Sequence, residues 1–218
     1  MKISVLGDSH CRVFSNTNVF TPFFLGPGSK FNLIQNSKGI KTKLKGLLKE
    51  IGKKYDYNML IFGEPSCRYQ VNNDHYIYSK NFERYDVVNE EHLKTMVDRY
   101  EDIITTFKDY NLIVCAPISV YAQSIKFSNI FSSKIKKICE KNNIHFVDIK
   151  KEIINDAGFV DEDYKSDPIH ASQKVLKFIE KSLNEIDINI KIEIIKSESF
   201  KEIKNKYKFN QKFNCYVY

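Results

Sequence analysis

Short apolar runs alternate with amphipathic helical patterns along most of the chain, and this alternation restricts the fold more than any other feature. The predicted strands are Ile3–Leu6, Asn58–Phe62, Asn111–Ala116 and Ile144–Ile149. The predicted helices cover residues 40–53, 89–110, 129–141 and about 171–183. Short apolar strands that alternate with helices are typical of a parallel sheet covered by helices on both faces. We therefore expect an α/β domain.

Small and polar residues follow several of these strands. Gly7-Asp8-Ser9 follows the first strand, and "GEPSCR" (residues 63–68) follows the second. "DPIH" (residues 167–170) follows the last strand across a turn-rich stretch. Because function in open parallel sheets collects at the carboxyl ends of the strands, these three stretches are predicted to meet at one edge of the sheet.

Residues 186–218 differ from the rest and are predicted to be a C-terminal extension of a domain formed by residues 1–185. Isoleucines at 186, 188, 190, 192 and 194 alternate with mostly polar residues, which predicts a strand with one buried face. After Ser197 the chain is rich in Lys, Phe and Tyr and lacks periodicity. We interpret that part as an appended edge element or a docking tail.

The composition is that of a globular chain without a membrane segment. Hydrophobic residues make up 42% of the 218, which is enough for a full core. No apolar run reaches the roughly 18–20 residues that span a bilayer. The first apolar run is too short for a signal peptide, so we expect a cytoplasmic protein without membrane contact.

Cysteine and charge patterns argue against metal and nucleic-acid sites. The five cysteines show no CxxC spacing, which fits a reducing compartment and predicts no metal and no cofactor. The formal charge of +7 comes mostly from lysine, and residues 38–54 hold seven lysines against one glutamate. We favour a solvated helix face over a polyanion site there, and nucleic acid is not an expected partner.

Ser9, Asp167 and His170 have the residue types of a nucleophilic triad. A serine hydroxyl needs an adjacent base, and histidine provides one whose proton affinity lies near the working pH. A carboxylate such as Asp167 can fix the tautomer of that histidine. The alternatives stay open: Ser9 as a helix N-cap, Asp167 as the start of a turn before Pro168, and His170 as an ordinary capping or surface residue.

The order of these motifs resembles the SGNH/GDSL hydrolase superfamily, whose first block is GDS after strand one and whose last is DxxH before the closing helix. The resemblance covers about residues 1–185. "GDSHCR", "LGPGS" and "GEPSCR" are similar to a branch associated with glycan biosynthesis. The resemblance implies a three-layer α/β/α sandwich with a mainly parallel, flavodoxin-like sheet.

The resemblance also implies a role for individual residues. Ser9 would be the nucleophile, His170 the base and Asp167 the residue that orients it. The backbone N–H of Ser9 would donate to the oxyanion, together with that of a glycine in "FLGPGS". Gly26 is preferred to Gly28 for this second donor.

The third block departs from the family pattern GxND, in which the asparagine donates into the oxyanion hole. In this chain the aligned residues are Gly63-Glu64-Pro65-Ser66, and Pro65 has no hydrogen-bond donor. Loss of one such donor costs about 2.7–4 kcal/mol of transition-state stabilisation. Arg68 is the preferred replacement and Ser66 the second choice. Glu64 is alternatively a structural partner of Arg68 or Arg12.

Residues around the motifs are predicted to contact the substrate. They are Asp8, His10, Gly63, Glu64, Ser66 and Arg68. Two of them also have a structural interpretation, because Asp8 can brace the loop and Arg68 can belong to an ion pair.

The predicted function is therefore a serine-dependent acyl-ester hydrolase or acyltransferase. Its substrate would be an acylated glycan or a small ester, with O-acetyl as the expected group, and glycan-assembly enzymes are candidate partners. One alternative is a non-catalytic glycan- or partner-binding module with a degenerate oxyanion site. Another is a basic scaffold or nucleic-acid binder led by the lysine-rich helix and the tail.

Overall fold

A computed structural model describes residues 1–26, 33–68, 71–72, 75–76 and 90–218. The strands are β1 (Ile3–Gly7), β2 (Phe20–Phe24), β3 (Tyr57–Ile61), β4 (Val71–Asn72), β5 (His75–Tyr76), β6 (Leu112–Cys115), β7 (His145–Val147), β8 (Lys208–Asn210) and β9 (Cys215–Val217). Seven of them form one sheet in the order β7-β6-β3-β1-β2-β9-β8, while β4 and β5 pair with each other. Neighbouring strands from β7 to β2 are parallel, and β9 and β8 are antiparallel additions.

Helices cover both faces of this sheet. The α-helices are α1 (Leu33–Ile51), α2 (Glu64–Arg68), α3 (Glu90–Phe107), α4 (Ala122–Lys141), α5 (Lys150–Ile153), α6 (Leu176–Asn184) and α7 (Phe200–Lys206). Short 3-10 helices span Ser9–Phe14, Lys108–Tyr110, Glu162–Tyr164 and Gln173–Val175. Within the described residues, no helix has both the length and the apolar character needed to cross a bilayer.

Alternate residues of β1 show how the layers are built. Ile3 and Val5 point into a core shared with the 3-10 helix Ser9–Phe14 and with α6. Leu6 points into a second core shared with α1, α3 and α4. Because successive side chains of a strand face opposite ways, this strand, which is buried along its whole length, has a covered layer on each side. The predicted three-layer α/β/α sandwich with a mainly parallel sheet is confirmed.

One central strand, β2, is missing from the sequence prediction. Its sequence "FTPFF" contains Pro22, which pairs in register with Val5 of β1. Proline lacks a backbone N–H and is found in sheets mostly on edge strands or at bulges, so this run is not recognised as a strand from pattern alone.

The strand predicted across residues 186–194 is wrong. Ile188 and Ile190 are buried, so the alternation does mark an inward face. However, the segment joins no ladder and forms only an isolated bridge at Ile194. Side chains satisfy its backbone instead: the amide oxygen of Asn184 accepts from Ile190 N, and that of Asn18 accepts from Glu193 N. Period-two burial therefore reports an extended chain, not a paired strand.

The end of the chain joins the main sheet. Strand β9 pairs with β2 through Phe23–Val217 and Phe24–Tyr216, and β8 forms the edge beyond it. The part after Ser197 is thus an appended edge element, one of the two forms expected for it. Helix α7, which precedes β8, packs against the 3-10 helix Ser9–Phe14.

Candidate active site

Ser9 lies in the first turn after β1, and its neighbours fix the chain there. A Cβ on Gly7 would approach the Ile61 carbonyl oxygen to 2.4 Å, so only glycine allows this contact between β1 and β3. Asp8 is the N-cap of the 3-10 helix, and its Oδ1 accepts a hydrogen bond from His10 N at 3.0 Å. The capping role therefore belongs to Asp8 and not to Ser9.

Hydrogen bonds within the "DPIH" turn stabilise it. Asp167 Oδ1 accepts hydrogen bonds from the backbone N–H groups of Ile169 and His170, both at 2.9 Å. The same carboxylate contacts the ring, with Oδ2 at 2.8 Å from His170 Nδ1. On the other side of the ring, His170 Nε2 lies 3.0 Å from Ser9 Oγ. The structure thus brings Ser9, His170 and Asp167 into one hydrogen-bonded chain.

The electrostatics of this chain favour a neutral imidazole. Burial and, to a smaller extent, the nearby His10 lower the pKa of His170 to about 4, although Asp167 opposes them. Partial burial raises the pKa of Asp167, but the hydrogen bond from Ile169 N–H and the His170 ring outweigh it, so this pKa is lowered. An ionised Asp167 accepts from Nδ1–H, which leaves the Nε2 lone pair facing the Ser9 hydroxyl.

The second motif block lies only partly within the described residues. Leu25 N donates to Gly7 O at 2.9 Å, which brings the following Gly26 beside the end of β1. Gly26 has a φ of +143°, a conformation that glycine adopts readily. Gly28 falls in the stretch 27–32, outside the described residues.

Gly63 and Glu64 begin the third block at the end of β3. Gly63 has a φ of +107°, and a Cβ there would lie 2.9 Å from the Phe131 ring. Glu64 is buried, and its carboxylate accepts from His10 Nε2 at 2.9 Å and from Arg68 Nε at 2.8 Å. The histidine partner is absent from the sequence prediction, which offers Arg68 or Arg12.

The buried charged residues around Glu64 shift one another's pKa values. Burial lowers the pKa of His10, but the Glu64 and Asp8 carboxylates outweigh it, and the net pKa is raised. Burial raises the pKa of Glu64, but His10 and Arg68 more than compensate, so this pKa is lowered. Burial is also the main reason that the pKa of Asp8 is raised. Glu64 is therefore the ionised acceptor and His10 the donor.

Ser66 and Arg12 are placed by the structure in supporting positions. Ser66 is buried, its Oγ accepts from Leu33 N at 3.1 Å, and its carbonyl accepts from His92 Nε2 at 3.0 Å. It therefore ties α2 to α1 and α3. The Arg12 guanidinium lies 3.9 Å from the centroid of the Phe24 ring, with no ion pair to Glu64 among the described contacts.

Among the described residues, two rings contact that of His170. The His10 ring centroid lies 4.9 Å away at a tilt of 36°. The Phe200 ring stacks at 3.7 Å with an interplanar angle of 17°. Phe200 belongs to the stretch without periodicity, so the sequence carries no signal that would place it here.

Similar solved structures share this fold. No protein-family model and no curated protein sequence matches the chain. A GDSL-like lipase of Bacteroides thetaiotaomicron matches with a TM-score of 0.57 and 10% identity over 85% of this chain and 86% of its own. A protein of the G-D-S-L family from Desulfitobacterium hafniense matches with a TM-score of 0.52 and 10% identity over 85% and 98%.

An enzyme that acts on carbohydrate is also similar. A catalytic mutant of an acetylxylan esterase from Geobacillus stearothermophilus matches with a TM-score of 0.50 and 14% identity, over 90% of this chain and 97% of its own. These likenesses agree with the motif order at the sheet edge. The fold of this protein is therefore that of the SGNH/GDSL hydrolase superfamily, as the motif order predicts, while the branch associated with glycan biosynthesis stays a prediction.

Proposed function

We propose that this protein is a serine esterase that removes acyl groups, chiefly O-acetyl, from carbohydrate. The observation that carries the proposal is the chain of contacts from Ser9 Oγ to His170 Nε2 at 3.0 Å and from His170 Nδ1 to Asp167 at 2.8 Å. Serine, neutral histidine and carboxylate in this order are the parts of an acyl-transfer triad.

In the first half-reaction, Ser9 Oγ attacks the ester carbonyl carbon while its proton moves to His170 Nε2. The resulting tetrahedral oxyanion faces the backbone N–H groups of Ser9 and Gly26. His170 then gives its proton to the sugar oxygen, the carbon–oxygen bond breaks, and the sugar leaves as an alcohol. An acyl group is now bonded to Ser9 Oγ.

In the second half-reaction, water attacks the acyl carbon and loses a proton to His170. Collapse of this second oxyanion breaks the bond to Ser9 Oγ, which recovers the proton from His170 and releases the acid. A sugar hydroxyl in place of water would make the same residues an acyltransferase. Glycan-assembly enzymes are natural partners in that case.

Arg68 is the proposed third stabiliser of the oxyanion in place of the asparagine of the family pattern. Its guanidinium bonds Glu64 through Nε, and its side chain is 10% exposed at the sheet edge. A guanidinium pre-positioned in this way can neutralise developing negative charge. Asp8, His10 and Glu64 are buried and act by supporting Ser9 and Arg68: Asp8 caps the 3-10 helix that begins with Ser9, and Glu64 bonds both His10 and Arg68.

The substrate class is proposed from two observations. The motif blocks resemble a branch associated with glycan biosynthesis, and one similar structure is that of an acetylxylan esterase. Acetylated oligosaccharides are therefore the first substrates to test, and release of acetate in water distinguishes hydrolysis from transfer to an added sugar.

The test compares wild type with Ser9→Ala on p-nitrophenyl acetate. Wild type is expected to give a burst of nitrophenol followed by steady turnover, and Ser9→Ala is expected to lose the burst and about 10³-fold or more of the rate. Ser133→Ala, at an exposed position of α4, is the control and keeps the wild-type rate. Equal rates in wild type and Ser9→Ala, or no turnover of any acyl ester, would favour the binding module instead.

A further inference from the structure

Helix α7, beyond the residues 1–185 that carry the motif resemblance, contacts the proposed base directly. The Phe200 ring stacks on the His170 ring with centroids 3.7 Å apart and an interplanar angle of 17°. We propose that Phe200 is a positioning residue: its ring holds His170 in line between Ser9 and Asp167 and stabilises the imidazolium that forms in each half-reaction. This inference rests on the proposed esterase function.

A hydrogen bond ties Phe200 to the turn that carries His170. Phe200 N donates to Ser166 Oγ at 3.1 Å, and Ser166 N donates to the His170 carbonyl oxygen at 2.9 Å. Ser166 directly precedes Asp167, so one residue connects the start of α7 with the "DPIH" turn. The distance between the two rings is therefore fixed through the backbone as well as by stacking.

A capping box fixes the N-terminus of α7. Ser199 is its N-cap, and Ser199 Oγ accepts from Glu202 N at 3.3 Å. The Glu202 carboxylate accepts from Ser199 N at 2.8 Å, which completes a capping box. A capped first turn fixes the backbone from which the Phe200 ring projects, and that ring is buried.

The residue that follows α7 reaches the turn that carries Ser9. Tyr207 Oη lies 2.8 Å from Ser15 Oγ, at the end of the 3-10 helix that begins with Ser9. The Arg12 guanidinium, in the same 3-10 helix, lies 5.3 Å from the centroid of the Tyr207 ring and 5.6 Å from that of Phe200. The α7 region therefore contacts both turns that supply the proposed triad, and it can keep their separation constant.

The chemistry explains why an aromatic ring suits this position. His170 becomes a cation when it takes the Ser9 proton, and the face of an aromatic ring attracts a cation through its quadrupole. Leucine at position 200 would fill a similar volume without that attraction. The other charged groups that act on the ring are Asp167, His10 and Glu64, and none of them changes in a Phe200 variant.

The test uses Phe200→Leu and the conservative Phe200→Tyr. Phe200→Leu is expected to lower kcat by about 2- to 12-fold, the range of aromatic-pair energies converted to rate, with KM nearly unchanged. It should also lower the pKa of His170 and move the acid limb of the pH–rate profile to lower pH. Phe200→Tyr should restore both. Phe209→Leu, in the neighbouring strand β8 and 51% exposed, is the matched control and should change neither.

A nuclear magnetic resonance measurement makes the inference testable without turnover. The ring protons of His170, assigned by their loss in His170→Gln, should resonate upfield in wild type because the Phe200 ring lies over them, and should move downfield in Phe200→Leu. If Phe200→Leu does not fold, the wild-type shifts decide alone, and unshifted signals would overturn the inference.

The outcomes separate the two proposals. Ser9-dependent turnover together with an unchanged kcat and pH profile in Phe200→Leu would overturn the role of Phe200 and leave the esterase intact. Absence of Ser9-dependent turnover would overturn the esterase. In that case, titration of His170 in wild type and in Phe200→Leu still tests whether Phe200 acts on the ring. Equal pKa values in the two proteins would contradict the role of Phe200.

Discussion

Ser9 and His170 are 161 positions apart in the chain, yet Ser9 Oγ and His170 Nε2 lie 3.0 Å from each other. The end of β1 presents the serine, and the turn before α6 presents the histidine. Gln173 helps to join the two, because its Nε2 donates to Ser15 O at 2.6 Å, just after the 3-10 helix that holds Ser9. Long-range contacts of the fold thus bring the proposed nucleophile and the proposed base together.

Asp167→Asn is expected to lower kcat by about 10³- to 10⁴-fold while the fold is kept. The asparagine Oδ1 can still accept from the backbone of Ile169 and His170, but its amide would donate to Nδ1 and leave Nε2 protonated. Such a ring cannot take the Ser9 proton. Steady-state kinetics measure the loss, and Asp163→Asn, at an exposed carboxylate in the preceding 3-10 helix, is the control. Activity near wild type in Asp167→Asn would contradict the assignment of the base.

The pH dependence of kcat/KM follows from the depressed pKa of His170. With a pKa of about 4, the ring is neutral and able to accept a proton throughout the neutral range, so the rate should fall only as pH drops through about 4. The raised pKa of His10 keeps it protonated in that acid range, where its charge disfavours a second cation nearby.

Replacing His10 tests this coupling. His10→Gln removes the positive charge, so protonated His170 becomes more favourable, its pKa rises and the acid limb moves to higher pH. His145→Gln, at an exposed position in β7, should leave the limb in place. A limb that stays fixed in His10→Gln would show that His10 does not set the protonation of His170.

Glu64→Gln is expected to lower the free energy of unfolding by about 3–5 kcal/mol, because the variant leaves His10 and Arg68 without their buried anionic partner. The lowered pKa of Glu64 means that its ionised form stabilises the fold above the ordinary value near 4.5. The difference between wild type and variant should therefore shrink as pH falls below that value.

Urea unfolding at several pH values measures this effect. Glu162→Gln is the matched control, since Glu162 is 88% exposed and its pair with Lys165 contributes little. Equal stabilities of wild type and Glu64→Gln at neutral pH would mean that the Glu64 group does not hold the third block in place.

Most of the parallel core could be predicted from sequence, because β1, β3, β6 and β7 are short apolar runs and the main helices are amphipathic. The strand β2 could not, because Pro22 removes a backbone donor at a position where the pairing tolerates the loss. The isoleucines of residues 186–194 indicate burial correctly, but period-two burial does not distinguish a ladder from a segment bonded by Asn184 and Asn18.

In the candidate site, too, some features could be predicted from sequence and others could not. Ser9, Asp167 and His170 lie in short motifs, so the hypothesis of a nucleophilic triad follows from their residue types and their order. The pairing of His10 with Glu64 and the stacking of Phe200 on His170 depend on where the chain returns in space. No local pattern encodes a contact of that kind.

The most direct test of the central claim is covalent labelling with a fluorophosphonate, followed by peptide mapping. The serine oxygen displaces fluoride from phosphorus, so the account predicts one added group per chain on Ser9. That group should be absent in Ser9→Ala and form much more slowly in His170→Gln, while Ser133→Ala should label at the wild-type rate. Labelling of another residue, or ester turnover by a chain that carries no label on Ser9, would contradict the account.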